Sequence, residues 1–144
     1  MLSKFHLKIC LVDDDLMCLN LYRQFLLQLG YTNIEIFDNG TDCLDNLEEL
    51  HPDVIFLDYN MEEMNGIDVL KKIKHFDPSI IVLFISGQEN IEVAINAMKQ
   101  GAVDYIVKAS LTPDRMKEIM ERLEQLSTAQ PKADKKSFFK KMFS

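Results

Sequence analysis

Apolar positions along this chain form five short runs, separated by longer stretches in which apolar and polar positions alternate with a helical period. Runs of four to seven residues bounded by turn residues are typical of strands. Most of the runs are apolar throughout, as expected of strands covered on both faces of a sheet. The predicted strands are Leu7 to Val12, Asn33 to Phe37, Val54 to Leu57, Ile80 to Ile85 and Val103 to Val107.

The stretches between the strands predict crossover helices. Leu16 to Leu29 is apolar at helical spacing and is followed by Gly30, which is placed to end a helix. A second apolar stripe runs from Ile91 to Met98 and ends at Gly101. Two shorter helices with a mixed pattern are predicted near Gly40 to Leu50 and Asn65 to His75.

The last helix has the clearest start signal. Thr112 is a predicted N-cap, Pro113 occupies the first helical position, and Asp114 lies near the positive end of the helix dipole. Its apolar face is formed by Met116, Ile119, Met120 and Leu123. Strands alternating with helices predict a single doubly wound α/β domain with a five-stranded parallel sheet.

Charge divides the chain into two parts. The 144 residues carry 16 basic and 23 acidic groups, a net charge of -7, which argues against nucleic acid as a partner. Residues 1–127 contain 11 basic and 22 acidic groups, whereas residues 128–144 contain five lysines and one aspartate. We therefore expect a folded domain over 1–127 and a basic, flexible tail over 128–144.

No segment of the sequence predicts export or a membrane span. The longest apolar run, Ile80 to Ile85, is far shorter than the roughly 20 residues that a bilayer requires, and the N-terminus lacks a signal-peptide pattern. Cys10, Cys18 and Cys43 form no CxxC pair, so neither a disulfide framework nor a zinc site is indicated. A cytoplasmic location is expected.

The tail contains an apolar cluster whose role the sequence leaves open. In a helix, Phe138, Phe139, Met142 and Phe143 would lie together, opposite Lys140 and Lys141. Such a stripe could dock on a partner or on an anionic membrane. A disordered, solubilising tail is the favoured alternative, because so short a segment is not stable as an isolated helix. A membrane partner is therefore not expected for the domain itself.

Chemistry-bearing residues follow four of the predicted strands. Ligands of open parallel α/β sheets bind beyond the carboxyl ends of the strands. The residues found there are Asp13, Asp14 and Asp15 after strand one, Asp58 after strand three, Ser86 after strand four and Lys108 after strand five. Carboxylates gathered at one edge repel one another unless a cation lies among them. Because hard oxygen ligands suit Mg²⁺, a magnesium site is predicted.

This arrangement suggests phosphoryl transfer. With its neighbours neutralised, Asp58 could attack a phosphoryl donor and hold the group as an acyl phosphate. The Lys108 ammonium would then pair with carboxylate or phosphoryl oxygens, and the Ser86 hydroxyl would donate a hydrogen bond to one of them.

The motifs resemble those of response regulator receiver domains, the phosphoacceptor modules of two-component signalling. The resemblance covers residues 5–126, and its parts occur in the expected order and spacing. They are Val-Asp-Asp after strand one, Asp58-Tyr-Asn-Met with Gly66 eight residues after the aspartate, Ser86-Gly87, and Gly101-Ala-Val-Asp-Tyr105-Ile-Val-Lys108. The resemblance implies a flavodoxin-like (βα)5 fold with strand order 2-1-3-4-5.

The resemblance also implies roles for the site residues. Asp58 would accept a phosphoryl group from a histidine kinase or phosphotransfer protein, and Asp13, Asp14, Asp58 and the Asn60 backbone carbonyl would hold Mg²⁺. Lys108 and Ser86 would contact the phosphoryl group. The protein would be a signalling switch rather than an enzyme.

Three further residues are assigned by the resemblance. Tyr105 would be the switch aromatic, acting with Ser86 on the surface of the fourth helix, fifth strand and fifth helix, where a downstream protein of unknown identity binds. Asn60 and Gln88 would tune the lifetime of the phosphoryl group.

Two family prolines are replaced, by Glu62 and Ala109. The family's Lys-Pro bond is typically cis, and a cis bond before alanine would cost roughly 2.5–4 kcal/mol, so a trans Lys108–Ala109 bond is predicted. Glu62, four residues after Asp58, could reach the metal through a water molecule, but it is expected to point to solvent, as loop carboxylates usually do.

Other functions and simpler roles stay open at this point. The chain could bind partners without phosphorylation, and Asp13-x-Asp15 also fits a phosphatase of the haloacid dehalogenase type, although Met17 and the lack of a second acidic pair after strand four count against it. Asp14 or Asp15 could merely cap the first helix. Taken alone, Tyr105 would be a core aromatic and Ser86 a hydroxyl bonded to backbone.

Overall fold

The computed structural model describes residues 6–129 of the chain. Five parallel strands form one sheet in the order β2-β1-β3-β4-β5, which confirms the predicted fold class and strand order. The strands are β1 (Ile9–Val12), β2 (Ile34–Phe37), β3 (Val54–Asp58), β4 (Ile81–Ser86) and β5 (Asp104–Val107). The helices are α1 (Leu16–Gln28), α2 (Gly40–Asp45), α3 (Leu47–Leu50), α4 (Gly66–Phe76), α5 (Ile91–Lys99) and α6 (Pro113–Ala129).

The sheet separates two hydrophobic cores. The core on one face contains Leu19 and Leu26 of α1 together with Met116 and Ile119 of α6. The core on the other face contains side chains of α2, α4 and α5, among them Cys43, Val69 and Ala97. Strands β1, β3 and β4 are buried throughout, whereas the edge strands β2 and β5 are partly exposed. The central strands therefore explain the uninterrupted apolar runs of the sequence.

One predicted helix is divided in two in the structure. Instead of a single helix near Gly40 to Leu50, the structure has α2 and α3, with Asn46 between them. The Asn46 side-chain amide donates a hydrogen bond to the backbone carbonyl of Asp42 at 2.7 Å, and Asn46 leaves helical geometry at φ -104° and ψ 1°. A side chain that competes for backbone groups in this way interrupts helices. The fourth and fifth predicted helices are therefore α5 and α6.

Capping residues fix where the helices begin, just beyond the carboxyl ends of the strands. Thr112 Oγ1 accepts a hydrogen bond from the Arg115 N–H at 3.1 Å, as predicted for the N-cap of α6. The side chains of Asn39, Asn65 and Asn90 accept equivalent bonds at the starts of α2, α4 and α5. These caps satisfy backbone donors that would otherwise lack partners.

Three further predictions concern a membrane span, the Cys10 thiol and the basic tail. Among residues 6–129, no helix has both the length and the apolar character needed to cross a bilayer. Cys10 is buried in the sheet, and burial raises the pKa of its thiol to about 12, consistent with an inert core residue. The predicted basic tail lies outside the described residues from position 130 onward, and α6 continues to Ala129.

Candidate functional site

Three aspartates meet at the carboxyl end of the sheet. Strands β1 and β3 are neighbours, with Val12 beside Leu57, so that Asp13 and Asp58 follow side by side. One carboxylate oxygen from each of Asp13, Asp14 and Asp58 lies within 4.8 Å of the others. Asp13 and Asp58 are buried, whereas Asp14 is exposed. The cluster is therefore a buried acidic pair that opens to solvent on the side of Asp14.

The three consecutive aspartates have different structural roles. Asp15 is the N-cap of α1, because its Oδ1 accepts a hydrogen bond from the Met17 N–H at 2.9 Å. The Asp15 N–H in turn donates to Asp13 Oδ1 at 2.9 Å. Capping is thus assigned to Asp15, while the carboxylates of Asp13 and Asp14 remain in the cluster.

Asp58 carries the least satisfied carboxylate of the site. Both of its oxygens are buried, and neither accepts a hydrogen bond of good geometry within residues 6–129. Burial and the nearby Asp13 charge raise the pKa of Asp58 to about 7, although Lys108 opposes the shift. Buried carboxylate oxygens without partners, next to two further carboxylates, suit a divalent cation that prefers oxygen ligands. The donor set therefore fits Mg²⁺.

Lys108 faces both buried carboxylates. Its Nζ lies 3.0 Å from Asp13 Oδ2 and 3.7 Å from Asp58 Oδ1. Burial acts to lower the pKa of Lys108, but the contact with Asp13 and the charge of Asp58 outweigh it and raise the pKa overall. Lys108 begins a 3₁₀ turn that ends at Ser110, and no peptide bond within residues 6–129 is cis. The predicted trans Lys108–Ala109 bond is thereby confirmed.

Ser86 and Tyr105 share one hydrogen-bond acceptor. The Ser86 hydroxyl donates to the backbone carbonyl of Gln88 at 3.0 Å, and the Tyr105 hydroxyl donates to the same carbonyl at 2.8 Å. The Tyr105 ring stacks on Phe84, with centroids 6.3 Å apart and planes inclined by 11°. The structure thus links the two predicted switch residues through the Gln88 backbone, a connection that the sequence did not indicate.

Three predicted residues have exposed side chains at the rim of the site. The side chains of Asn60 and Gln88 are exposed, in the loops after β3 and β4. Glu62 is exposed, as expected, and shares with Asp14 the lining of a shallow cavity of about 240 Å³. None of these three side chains is held in the buried part of the cluster.

Gly66, the first residue of α4, packs tightly beneath the site. A Cβ atom at this position would lie 2.6 Å from the Asp58 carbonyl oxygen and 2.8 Å from Phe84 Cζ. The Gly66 N–H also donates to the Tyr59 carbonyl at 3.0 Å, which draws α4 against the end of β3. Only glycine allows this close approach.

Replacing Gly66 by alanine is therefore expected to lower the free energy of unfolding by about 2–3 kcal/mol, because the backbone must move apart to accept a methyl group. Urea unfolding followed by circular dichroism measures the change. Gly87→Ala is the matched control, since a Cβ atom there meets no atom within 4 Å. Equal stabilities of the two variants would show that the close packing at Gly66 is not required.

Comparison with known proteins places this geometry in a family. A family model described as the response regulator receiver domain matches residues 9–121. The chain belongs to this family, the receiver domains of two-component response regulators. The family and fold are those of a signalling switch, which favours that class over the phosphatase alternative.

Curated relatives are named as regulatory proteins. The chain is 37% identical over 100 residues to the transcriptional regulatory protein ZraR of Klebsiella oxytoca, covering 69% of this chain and 22% of that protein. It is 35% identical over 98 residues to the regulatory protein LuxO of Vibrio vulnificus strain YJ016, covering 68% of this chain and 21% of that protein. The chain therefore spans about a fifth of the length of these relatives.

Solved structures agree with the fold. A CheY-like response regulator receiver domain protein from Methanospirillum hungatei JF-1 superposes with a TM-score of 0.77 at 27% identity, covering 86% of this chain and 99% of that chain. The receiver domain of NtrX from Brucella abortus gives a TM-score of 0.73 at 30% identity, covering 80% of this chain and 96% of that chain.

Proposed function

We propose that this protein is a phosphoacceptor switch in which Asp58 takes a phosphoryl group from a histidine kinase or a phosphotransfer protein. The observation that carries the proposal is the buried Asp58 carboxylate, which accepts no hydrogen bond of good geometry from residues 6–129 and lies between two further carboxylates and the Lys108 ammonium. A carboxylate held this way has a free oxygen with which to attack phosphorus.

The cofactor of the proposed reaction would be Mg²⁺, which Asp13, Asp14, Asp58 and the Asn60 backbone carbonyl would hold. When bound, Mg²⁺ supplies positive charge that offsets the clustered carboxylates and stabilises phosphoryl oxygens. The chain prepares this site by fixing Asp13 between the Asp15 N–H and Lys108, which sets the orientation of the first carboxylate.

In the proposed transfer, an Asp58 oxygen forms a bond to phosphorus while the bond from phosphorus to the donor atom breaks. The leaving group keeps the electron pair of that bond. The Lys108 ammonium, 3.7 Å from Asp58 Oδ1, is placed to stabilise negative charge on the transferred group. The Ser86 hydroxyl would donate a hydrogen bond to a phosphoryl oxygen after turning away from the Gln88 carbonyl.

That movement of Ser86 is the proposed link between the site and the binding surface. Once the Ser86 hydroxyl has turned, Tyr105 is the one of these two donors that still bonds the Gln88 carbonyl. The hydrogen bond from Tyr105 then becomes stronger and keeps its ring stacked against Phe84. The ring belongs to β5, next to α5 with its exposed Ile91 and Ile95. The surface of α5, β5 and α6 would thereby change for a downstream protein.

Mg²⁺ titration by calorimetry tests the metal site. We expect Asp13→Asn to weaken Mg²⁺ binding about 10- to 100-fold, because a charged oxygen ligand becomes a neutral amide. Glu62→Gln is the matched control at the exposed rim and should bind Mg²⁺ as the wild type does. Equal Mg²⁺ affinities of the Asp13→Asn variant and the wild type would remove Asp13 from the proposed ligands.

The phosphoryl group is predicted to be short-lived, lasting minutes rather than hours. Asn60 and Gln88 place two exposed amides at the rim of the site, where they could orient an attacking water. Removing the donor and following the phosphorylated fraction over time measures the lifetime. Persistence of the modification over many hours would refute the role of these two amides.

A second candidate is a receiver that binds its partner without phosphorylation. It is favoured by the position of Lys108, which is closer to Asp13 than to Asp58, and by the loss of both family prolines. Small phosphoryl donors separate the two candidates, because they need no partner protein. Modification of Asp58 by such a donor supports the switch, and its absence supports the binding module.

A further inference from the structure

The exposed side of α1 carries apolar residues next to the acidic cluster. Leu16, Met17 and Leu21 are 59%, 81% and 50% exposed, and together we call them the α1 patch. Met17 and Leu21 are neighbours on the helix surface and line a shallow cavity of about 490 Å³ with Cys18 and Gln24. A contiguous exposed apolar patch marks an interaction site more often than scattered residues do.

The composition of α1 strengthens this interpretation. A helix with one face in solvent normally carries charged residues on that face. From Leu16 to Gln28, however, Arg23 is the only charged residue. Charge is instead concentrated at the beginning of the helix, where Asp14 and Asp15 precede it. The patch thus offers an apolar surface with an acidic end.

The C-terminal segment of this chain has complementary chemistry. Residues 138–143, Phe-Phe-Lys-Lys-Met-Phe, combine four apolar side chains with two lysines. Residues 128–144 contain five lysines and one aspartate, whereas residues 1–127 contain 22 acidic and 11 basic groups. Attraction between these two parts favours contact within the chain, most strongly at low ionic strength.

The segment is also long enough to reach the patch. Glu124 of α6 interacts with Tyr31, which follows α1, so α6 passes the carboxyl end of α1 at this point. Helix α6 ends five residues further on, at Ala129, so at 1.5 Å per residue Leu21 lies about 18 Å and Met17 about 24 Å back from the end of α6. The eight residues 130–137 can span about 26 Å when extended. No rearrangement of the domain is required.

We propose that residues 138–143 dock on the α1 patch, with Phe138, Phe139, Met142 and Phe143 on its apolar side chains and the lysines toward Asp14 and Asp15. A tethered segment has an effective concentration on the order of millimolar, so a weak contact is enough to populate the docked state.

Photo-crosslinking in the full chain tests the docking without reference to phosphorylation. With p-benzoylphenylalanine in place of Phe139, irradiation is expected to give crosslinks within one chain to residues 16–24. The Met17→Ser, Leu21→Ser double variant should lower their yield about tenfold, because the apolar contact is lost. Both side chains are exposed, so these changes leave the core intact. The matched control, Ile91→Ser with Ile95→Ser, should leave the yield unchanged.

Three outcomes would overturn the proposal. Crosslinks between two chains would show that the occupant of the patch is a second copy. Crosslinks to other surfaces, or no crosslinks, would show that the segment does not dock on α1. Sedimentation of the chain with phosphatidylglycerol vesicles, together with no crosslinks to residues 16–24, would identify the segment as a membrane contact.

Discussion

Replacing Lys108 by alanine is expected to slow phosphorylation of Asp58 by acetyl phosphate about 100- to 1,000-fold at saturating Mg²⁺. Lys108 Nζ lies within 4 Å of both buried carboxylates, and its ammonium is held there by the Asp13 contact at 3.0 Å. A positive charge fixed before the reaction stabilises the negative charge of the transferred group at no cost of reorganisation.

The Lys108 prediction is measured by the initial rate of phosphorylation, with donor in excess. Lys117→Ala is the matched control, because Lys117 is an exposed lysine on α6. Its rate should equal that of the wild type. If Lys108→Ala reacts as fast as the control, the ammonium takes no part in the transfer, and the contact with Asp13 is only structural.

Replacing Asp58 by asparagine is expected to stabilise the metal-free protein by about 2 kcal/mol at pH 8. Burial and the Asp13 charge raise the pKa of Asp58 from 3.8 to about 7, which corresponds to about 4 kcal/mol as an upper limit at 1.36 kcal/mol per unit. Relaxation around the charged form reduces that figure. Asparagine has nearly the same shape and carries no charge.

The raised pKa of Asp58 also determines the direction in which folding stability changes with pH. Between pH 3.8 and about 7, the folded state binds the Asp58 proton more tightly than the unfolded state does, so stability is lost as the pH rises through this window. Asp104, whose pKa is also raised by burial, changes in the same direction but is present in both proteins. The difference between wild type and Asp58→Asn therefore isolates Asp58.

Urea unfolding in EDTA at pH 4, 6 and 8 measures this difference. The variant should gain stability relative to the wild type as the pH rises, with little further gain above pH 8. Adding Mg²⁺ should stabilise the wild type more than the variant, because a ligand of the folded state raises its stability. If the free energy of unfolding had the same pH profile in the two proteins, burial and the Asp13 charge would not raise the pKa of Asp58 in the folded state.

Much of the fold could be predicted from the sequence because buried parallel strands have a simple pattern. Strands β1, β3 and β4 are covered on both faces and therefore read as uninterrupted apolar runs. The site could be predicted from the same pattern, because residues that follow parallel strands lie at the same edge of the sheet. Asp13, Asp14, Asp58 and Lys108 do meet there.

Other features depend on backbone geometry that no residue type reveals. The break at Asn46 depends on a side chain that competes for the Asp42 carbonyl, and asparagine also occurs within intact helices. The link between Ser86 and Tyr105 runs through the carbonyl of Gln88, whose direction is set by the turn after β4. Phe84, which supports the Tyr105 ring, looks like any other apolar residue of a buried strand.

Intact mass after incubation with acetyl phosphate and Mg²⁺ tests most directly whether Asp58 is the phosphoacceptor. The wild type is expected to gain the mass of one phosphoryl group, and EDTA should abolish the gain. The Asp58→Asn variant should gain nothing under the same conditions, because an amide cannot form the acyl phosphate. An unmodified wild type, or an Asp58→Asn variant that takes up the group equally well, would contradict the proposed switch.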